Sequence, residues 1–219
     1  MFREVAMWKS DKNLLLLQSL FITCVVVSPV VSSKLISLGF SIHSVAALIP
    51  GSAMIYAVIF LISNIISEMW GSKQSTSISI CGFICQIVSS CLFMLVQVLP
   101  TNDVDVQNAY RMILGSNIVF TLSGIFTYTL SQSSNILLYN ALKKNPAVAN
   151  LISTSISHLV DTVFFIGLSY GVCLGGFFEA NTRIQILVMI LCQYVVRILL
   201  TIVETPIFKL LVRKSKIKV

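Results

Sequence analysis

The sequence predicts an all-α integral membrane protein, a single membrane domain of six transmembrane helices with the N-terminus and the C-terminus in the cytoplasm. Of its 219 residues, 56% are hydrophobic and 11% are charged, whereas charged residues make up about 25% of a soluble domain. The mean hydropathy is +0.92. Six apolar stretches are each long enough to cross a bilayer, which takes about 20 residues. Helices are expected because an open strand cannot satisfy its backbone hydrogen bonds in lipid.

The first three predicted spans cover residues 14–33, 45–68 and 77–99. The first follows a basic segment, as the core of a signal peptide does. Its apolar run is longer than the core of about 7 to 15 residues that signal peptides have, and five more spans follow it, so an uncleaved helix is favoured over a cleaved signal. The third span ends at Pro100, where a proline and the polar residues after it mark a turn.

The last three predicted spans cover residues 112–138, 148–172 and 184–210. Two lysines, an asparagine and Pro146 separate the fourth span from the fifth, and a pair of glycines at 175 and 176 follows the fifth. The sixth span runs into a basic segment. Six spans with short connections use nearly the whole length, so no soluble catalytic domain is expected.

The distribution of basic residues favours cytoplasmic termini, because cytoplasmic loops carry an excess of lysine and arginine. With the N-terminus inside, the outer segments hold Lys34, Arg111 and Arg183. The inner segments hold a larger set: Arg3, Lys9, Lys12, Lys73, Lys143, Lys144, Lys209, Arg213, Lys214, Lys216 and Lys218. The net charge of +7 therefore indicates contact with the lipid bilayer at its cytoplasmic face, and no nucleic-acid partner is expected.

Polar side chains at helical spacing form a stripe on each of four spans and predict a shared binding site. An ionisable group in hydrocarbon costs about 2.5 to 3.5 kcal/mol, so it needs a partner or a wet cavity. Amides, carboxylates, one imidazole and one guanidinium suit a flat heterocycle with several hydrogen-bonding edges. The candidate substrate-binding residues are Asn64, Glu68, Gln132, Asn135, His158, Asp161, Arg197 and Glu204.

Simpler structural roles compete with each of these assignments. Asp161 and Arg197 form a structural ion pair in one alternative, and Glu68 and Glu204 are interfacial charges near helix ends in another. Gln132, like Gln193 on the sixth span, is equally typical of a hydrogen bond between membrane helices. His158 is a candidate proton carrier, although a structural histidine is the more common case.

Four segments at these stripes resemble the queuosine precursor transporter family, an integral-membrane group once described as vitamin-uptake proteins. They are 60–71 (FLISNIISEMWG), 131–136 (SQSSNI), 153–165 (STSISHLVDTVFF), and 194–197 with 205–206 (YVVR and TP). The similarity runs along almost the whole chain. It implies a six-helix secondary transporter that imports 7-deazaguanine bases across the bacterial cytoplasmic membrane for salvage into a modified tRNA nucleoside, with no ATPase partner.

Three positions depart from the pattern of that family. The family typically carries aspartate where this chain has Asn64 and Asn135, and lysine where it has Arg197, whereas Asp161 matches. An asparagine keeps an acceptor oxygen but loses the charge that would meet a cationic aminomethyl group. The uncharged cyano form of the base, or queuine, is then expected beside the aminomethyl form. Trp70, Phe60, Tyr128 and Phe164 are candidates to stack on the ring.

Two other classes of function stay open. One is a substrate-binding membrane subunit of an ATP-driven vitamin-type uptake complex. The other is an intramembrane hydrolase, because Ser169 lies in a Gly-x-Ser-x-Gly pattern and His43 is predicted at a similar depth. That pattern sits inside a predicted span, so no catalytic residue is assigned and a non-enzyme is expected. No cofactor and no metal site are predicted, and a homodimer stays open.

Overall fold

Helices account for most of the chain. The computed structural model describes residues 11–42, 44–142, 146–173 and 180–216, although the side chains of some residues within the helices lie outside this description. In chain order the elements are α1 (Asp11–Ser32), β1 (Leu35–Ile42), β2 (Val45–Pro50), α2 (Ser52–Trp70), α3 (Ser72–Val98), α4 (Val104–Leu114), α5 (Asn117–Leu142), α6 (Pro146–Ile166), a π-helix (Gly167–Cys173) and α7 (Ala180–Lys216). Six helical segments in the described residues are long and apolar enough to cross a membrane, which confirms the predicted helical membrane fold with six spans.

Neighbouring helices are tied together by short contacts between small polar side chains and backbone, as is common between membrane helices. Such contacts join α2 to α3 (Ser63 and Ser75, 3.0 Å), α3 to α5 (Ser90 and Asn117, 2.6 Å) and α5 to α6 (Ser157 and the carbonyl of Ser131, 2.7 Å). The contacts of α3 with α5 run from Ser90–Asn117 to Ser79–Tyr128, so these helices are antiparallel, and the short connections make the other successive spans alternate in direction as well. We call the end of the bundle that holds Asp11 and Lys216 the terminal end, and the opposite end the hairpin end.

A β-hairpin separates the first two spans and differs from the prediction. Residues 45–50, expected as the start of a span over 45–68, form β2, which pairs antiparallel with β1, and the helix begins only at Ser52. Ala47 and Ile49 of β2 pack against Val188 and Cys192 of α7. The strand forms because β1 pairs with the inner edge of its backbone and its apolar side chains pack on α7, so this apolar run needs no helix.

Glycine allows two of the sharp connections. A Cβ on Gly51 would lie 2.7 Å from the carbonyl oxygen of Val31, so only glycine lets the start of α2 approach the end of α1. Gly71 links α2 to α3 with φ 97° and ψ 156°, a conformation that L side chains rarely adopt. These two positions fix α2 at both of its ends.

The boundaries of the remaining helices differ from those of the predicted spans. The span expected over 112–138 is broken at residues 115–116, so α4 and α5 share that crossing. The span expected over 148–172 is α6 continued by the π-helix, and residues 184–210 lie within the longer α7. Single π-helical turns are frequent at functional sites in helical proteins.

Candidate functional site

The centre of the site is a buried ion pair between α6 and α7. Asp161 is 2% exposed and Arg197 is 4% exposed, and Nη1 of Arg197 donates a hydrogen bond to Oδ2 of Asp161. Antiparallel packing of α6 and α7 brings the two side chains face to face. A buried charge without a partner is strongly destabilising, so each residue explains the presence of the other.

The guanidinium of Arg197 is only partly used by this pair. Its Nε and Nη2 atoms are buried and have no hydrogen-bond partner among the described residues. These two N–H groups point to the same side of the planar guanidinium and form a fork that matches two acceptor atoms, or the lone pairs of one carbonyl oxygen. Each buried donor that makes no hydrogen bond costs about 1 to 3 kcal/mol. This fork is therefore suited to a ligand that supplies the missing acceptors.

Aromatic side chains of α2 lie beside this charge. The ring centroid of Tyr56 is 5.2 Å from Cζ of Arg197, within the range of a cation–π interaction. Phe60, one turn further along α2, meets the imidazole of His158 edge-on at 5.3 Å and stacks with Tyr128 at 6.2 Å. The aromatic rings and the ion pair together form one amphipathic wall.

A narrow cleft opens between α2, α6 and α7 at this wall. Its lining includes Ala53, Tyr56, Phe60, His158, Arg197 and Thr201. The free space accepts about one water molecule, so a heterocycle fits only if the three helices separate. The structure therefore holds the candidate site in a closed form.

His158 extends the polar surface towards the terminal end. Its Nε2 lies 3.3 Å from Oγ1 of Thr201, whose hydroxyl also donates to the carbonyl of Arg197 at 2.9 Å. Because His158 precedes Asp161 by three residues, both project from nearly the same face of α6. The histidine thus has a structural partner in this conformation and still borders the cleft.

Asn64 and Glu68 lie outside this buried cluster, and their part in a shared binding site stays a prediction. Both are exposed, whereas the buried face of α2 carries Tyr56, Ser63 and Ile66 among others. The spacing of four residues between them was a sound indication of a shared face, but it does not say which neighbour that face meets. Asn64 follows Phe60 by one turn, so the exposed pair continues the line of the cleft towards the terminal end.

Three of the predicted residues fall outside the described side chains. Gln132 and Asn135 lie on α5 and Glu204 lies on α7, and the structure describes the backbone there but not these side chains. Of the predicted set, the structure therefore brings together His158, Asp161 and Arg197. Their assignment to a substrate stays a prediction.

Two lining residues with hydrogen-bonding side chains were missing from the predicted set. Tyr56 and Thr201 border the cleft together with the predicted residues. Thr201 lies four residues after Arg197, on the polar stripe of the last span, and Tyr56 lies four residues before Phe60. Helical spacing was the available signal in both cases. An aromatic residue in a membrane helix is more often a packing residue, so Tyr56 was not assigned to the site.

The geometry around Ser169 differs from that of a hydrolase nucleophile. Ser169 lies in the π-helix, is fully buried, and donates its hydroxyl hydrogen bond to the carbonyl of Phe165. A nucleophile in the Gly-x-Ser-x-Gly pattern is instead exposed on a sharp strand-to-helix turn. His43, the proposed partner, lies outside the described residues. The pattern is therefore part of a packed helix.

Comparison with protein families adds one finding to this geometry. A family model described as "putative vitamin uptake transporter" matches residues 50–211, a range that includes α2 to α6, most of α7 and the whole cleft. Searches of the curated proteins and of the solved structures gave no match.

Proposed function

The chain belongs to this vitamin uptake transporter family and is a multi-pass membrane protein, and we propose that it is a secondary transporter for a queuosine precursor. The substrate is a 7-deazaguanine base in its cyano or aminomethyl form, or queuine, imported across the bacterial cytoplasmic membrane for salvage into tRNA. The observation that carries the proposal is the buried Arg197, whose free Nε–Nη2 fork lies beside Asp161 at an aromatic cleft.

The chemistry of the cleft suits a flat, uncharged ring. Tyr56 and Phe60 offer aromatic faces and edges, and the fork of Arg197 donates to a ring carbonyl. Asp161 already neutralises Arg197, so a charge on the part of the substrate that enters this buried site would be uncompensated. An uncharged heterocycle pairs with the free donors without that cost.

The line of exposed polar residues on the terminal-end side of the cleft supplies a path to water. Asn64 and Glu68 follow Phe60 at one and two turns of α2, and His158 with Thr201 border the cleft on the same side. In the proposed cycle, α2, α6 and α7 separate, and the base passes between the ion pair and this polar line. The closed cleft of the structure is then one state of that cycle.

Uptake by cells that lack their own importer tests the proposal. Cells expressing the chain are supplied with labelled cyano base, aminomethyl base or queuine, and accumulation of at least one of them is expected. Asp161→Ala should abolish uptake because it leaves the buried charge of Arg197 without a counter-ion. Asp105→Ala, a change to an exposed carboxylate on α4, is the matched control and should transport normally. Normal uptake by the Asp161 variant, with the protein present in the membrane, would contradict the assigned site.

Reconstitution separates the proposal from an ATP-driven complex. The purified chain in liposomes, without any other protein, should carry the labelled base into the lumen down its gradient. If the base enters only when ATPase subunits and ATP are added, the secondary-transport assignment is wrong and the chain is a substrate-binding subunit.

A further inference from the structure

Gln193 is buried on α7 without any described partner. The residue is 0% exposed, and both its Oε1 and its Nε2 lack a hydrogen-bond partner among the described residues. A primary amide that makes no hydrogen bond is costly in an apolar interior, and replacing it by an apolar residue would remove that cost. A fully buried glutamine of this kind therefore has a use other than stabilising the fold.

Gln193 lies one helical turn before Arg197. Residues four apart on a helix are neighbours on one face, with Cβ atoms about 5 to 6 Å apart. Long side chains on a helix lean towards its N-terminus, so the side chain of Arg197 leans towards the turn that carries Gln193. The free fork of Arg197 and the free carboxamide of Gln193 therefore lie on successive turns of the same face of α7.

The two groups together define the ligand group that they complement. A carboxamide has one acceptor and two donors, so a carboxylate or a phosphate would satisfy only its Nε2 side. A lactam, in which a ring carbonyl adjoins a ring N–H, satisfies both sides at once: Oε1 accepts from the ring N–H, and Nε2 donates to the carbonyl. The second lone pair of that carbonyl then accepts from one N–H of the Arg197 fork.

We infer that Gln193 is a specificity-determining residue that reads the lactam edge of the substrate by a cyclic pair of hydrogen bonds. This inference rests on the proposed function, because it names the edge of the 7-deazaguanine ring that lies beside Arg197 in the site. It assigns the site to six-oxo bases with a free ring N–H. Bases in which that N–H is blocked are rejected, because the oxygen of Gln193 is then left buried without a donor.

Binding measurements on the purified full-length chain test the inference. The two probes are 7-deazaguanine and its N1-methyl derivative, which differ only at the ring N–H. The wild-type chain should bind the unmethylated base about ten-fold or more tightly than the methylated one. In Gln193→Leu, and in the unbranched Gln193→Met, that preference should fall towards unity, mainly through weaker binding of the unmethylated base.

Thermal unfolding without ligand supplies a second readout. Gln193→Leu should unfold at the same temperature as the wild type or above it, because it removes an unsatisfied buried amide. Gln185→Leu is the matched control, since Nε2 of Gln185 on the same helix donates to the carbonyl of Ala46 at 2.9 Å. That change should lower the unfolding temperature and leave the preference between the two bases intact.

The outcomes separate this inference from the proposed function. If the wild-type chain binds the bases and Gln193→Leu keeps the full preference for the unmethylated one, the inference is overturned and the proposed function stands. A lower unfolding temperature for both Gln193 variants would also overturn it, because the amide would then be a structural group. If the wild-type chain binds neither base, the proposed function fails, and the substrate edge assigned here fails with it.

Discussion

The ring of Tyr56 lies 5.2 Å from the central carbon of the Arg197 guanidinium, and Asp161 binds the same guanidinium from α6. One cation is thus held by an aromatic face on α2 and a carboxylate on α6 while it projects from α7. The three helices that line the cleft therefore meet at one side chain. Changes at these residues should affect stability and transport in different proportions.

Replacing one member of the ion pair should destabilise the fold much more than replacing both. Asp161→Leu leaves the buried Arg197 uncompensated and should lower the free energy of unfolding by about 3 to 5 kcal/mol. The double variant Asp161→Leu with Arg197→Met should recover most of that loss and still fail to transport. Unfolding in detergent measures the first effect and uptake the second. A double variant as unstable as the single one would show that the pair is not the coupled unit described here.

Tyr56 should contribute through its ring. Tyr56→Leu removes the cation–π contact and the stacking surface, and should weaken substrate binding by about 1 kcal/mol or more. Tyr56→Phe keeps the ring and serves as the control. Titration of the purified chain with the labelled base measures both. Equally weakened binding in the two variants would show that the phenolic hydroxyl, and not the ring, is responsible.

Gly71 should tolerate no side chain. Its φ of 97° with ψ of 156° strains any L residue, so Gly71→Ala should lower the free energy of unfolding by about 1 to 3 kcal/mol. Gly167→Ala is the comparison, because nothing lies within 4 Å of the position of an added Cβ there and its φ is not positive. That variant should unfold like the wild type. If the two substitutions have equal effects, the turn between α2 and α3 is not strained.

Asn64→Asp should shift the preference among precursors. The resembling family carries aspartate at this position, and the side chain lies on the exposed face of α2 that continues the cleft. A carboxylate there should favour the cationic aminomethyl base over the cyano base by several-fold in competition uptake. Asn102→Asp, in the connection before α4, is the control and should leave the ratio unchanged. An unchanged ratio in the Asn64 variant would remove this residue from the substrate path.

The helical crossings and the ion pair were predictable from the sequence, because both follow from the cost of polar groups in lipid. Length and hydropathy set the six spans, and a buried Asp161 required a cation such as Arg197. The hairpin was not recognised, since residues 45–50 are as apolar as a span. The alternation of apolar with small residues over 36–42 was the signal for a strand.

The position of the second-span polar pair was beyond the reach of sequence reasoning. Helical spacing groups Asn64 with Glu68, but the rotation of α2 is fixed by how Tyr56, Ile59 and Ile66 pack into the core with α1 and α3. Those tertiary contacts bury one face and expose the pair. Gln193 was noticed only as a candidate hydrogen bond between helices, because the absence of a described partner is visible only in three dimensions.

The most direct test of the account is equilibrium binding of 7-deazaguanine to the purified chain with the fork of Arg197 removed. Arg197→Lys keeps the charge beside Asp161 but replaces the planar fork by a single ammonium. We expect binding to be at least about ten-fold weaker in Arg197→Lys. Unchanged binding is expected in Arg111→Lys, a substitution at an exposed arginine on α4. Equal affinity of the wild type and Arg197→Lys would contradict the claim that this buried fork holds the substrate.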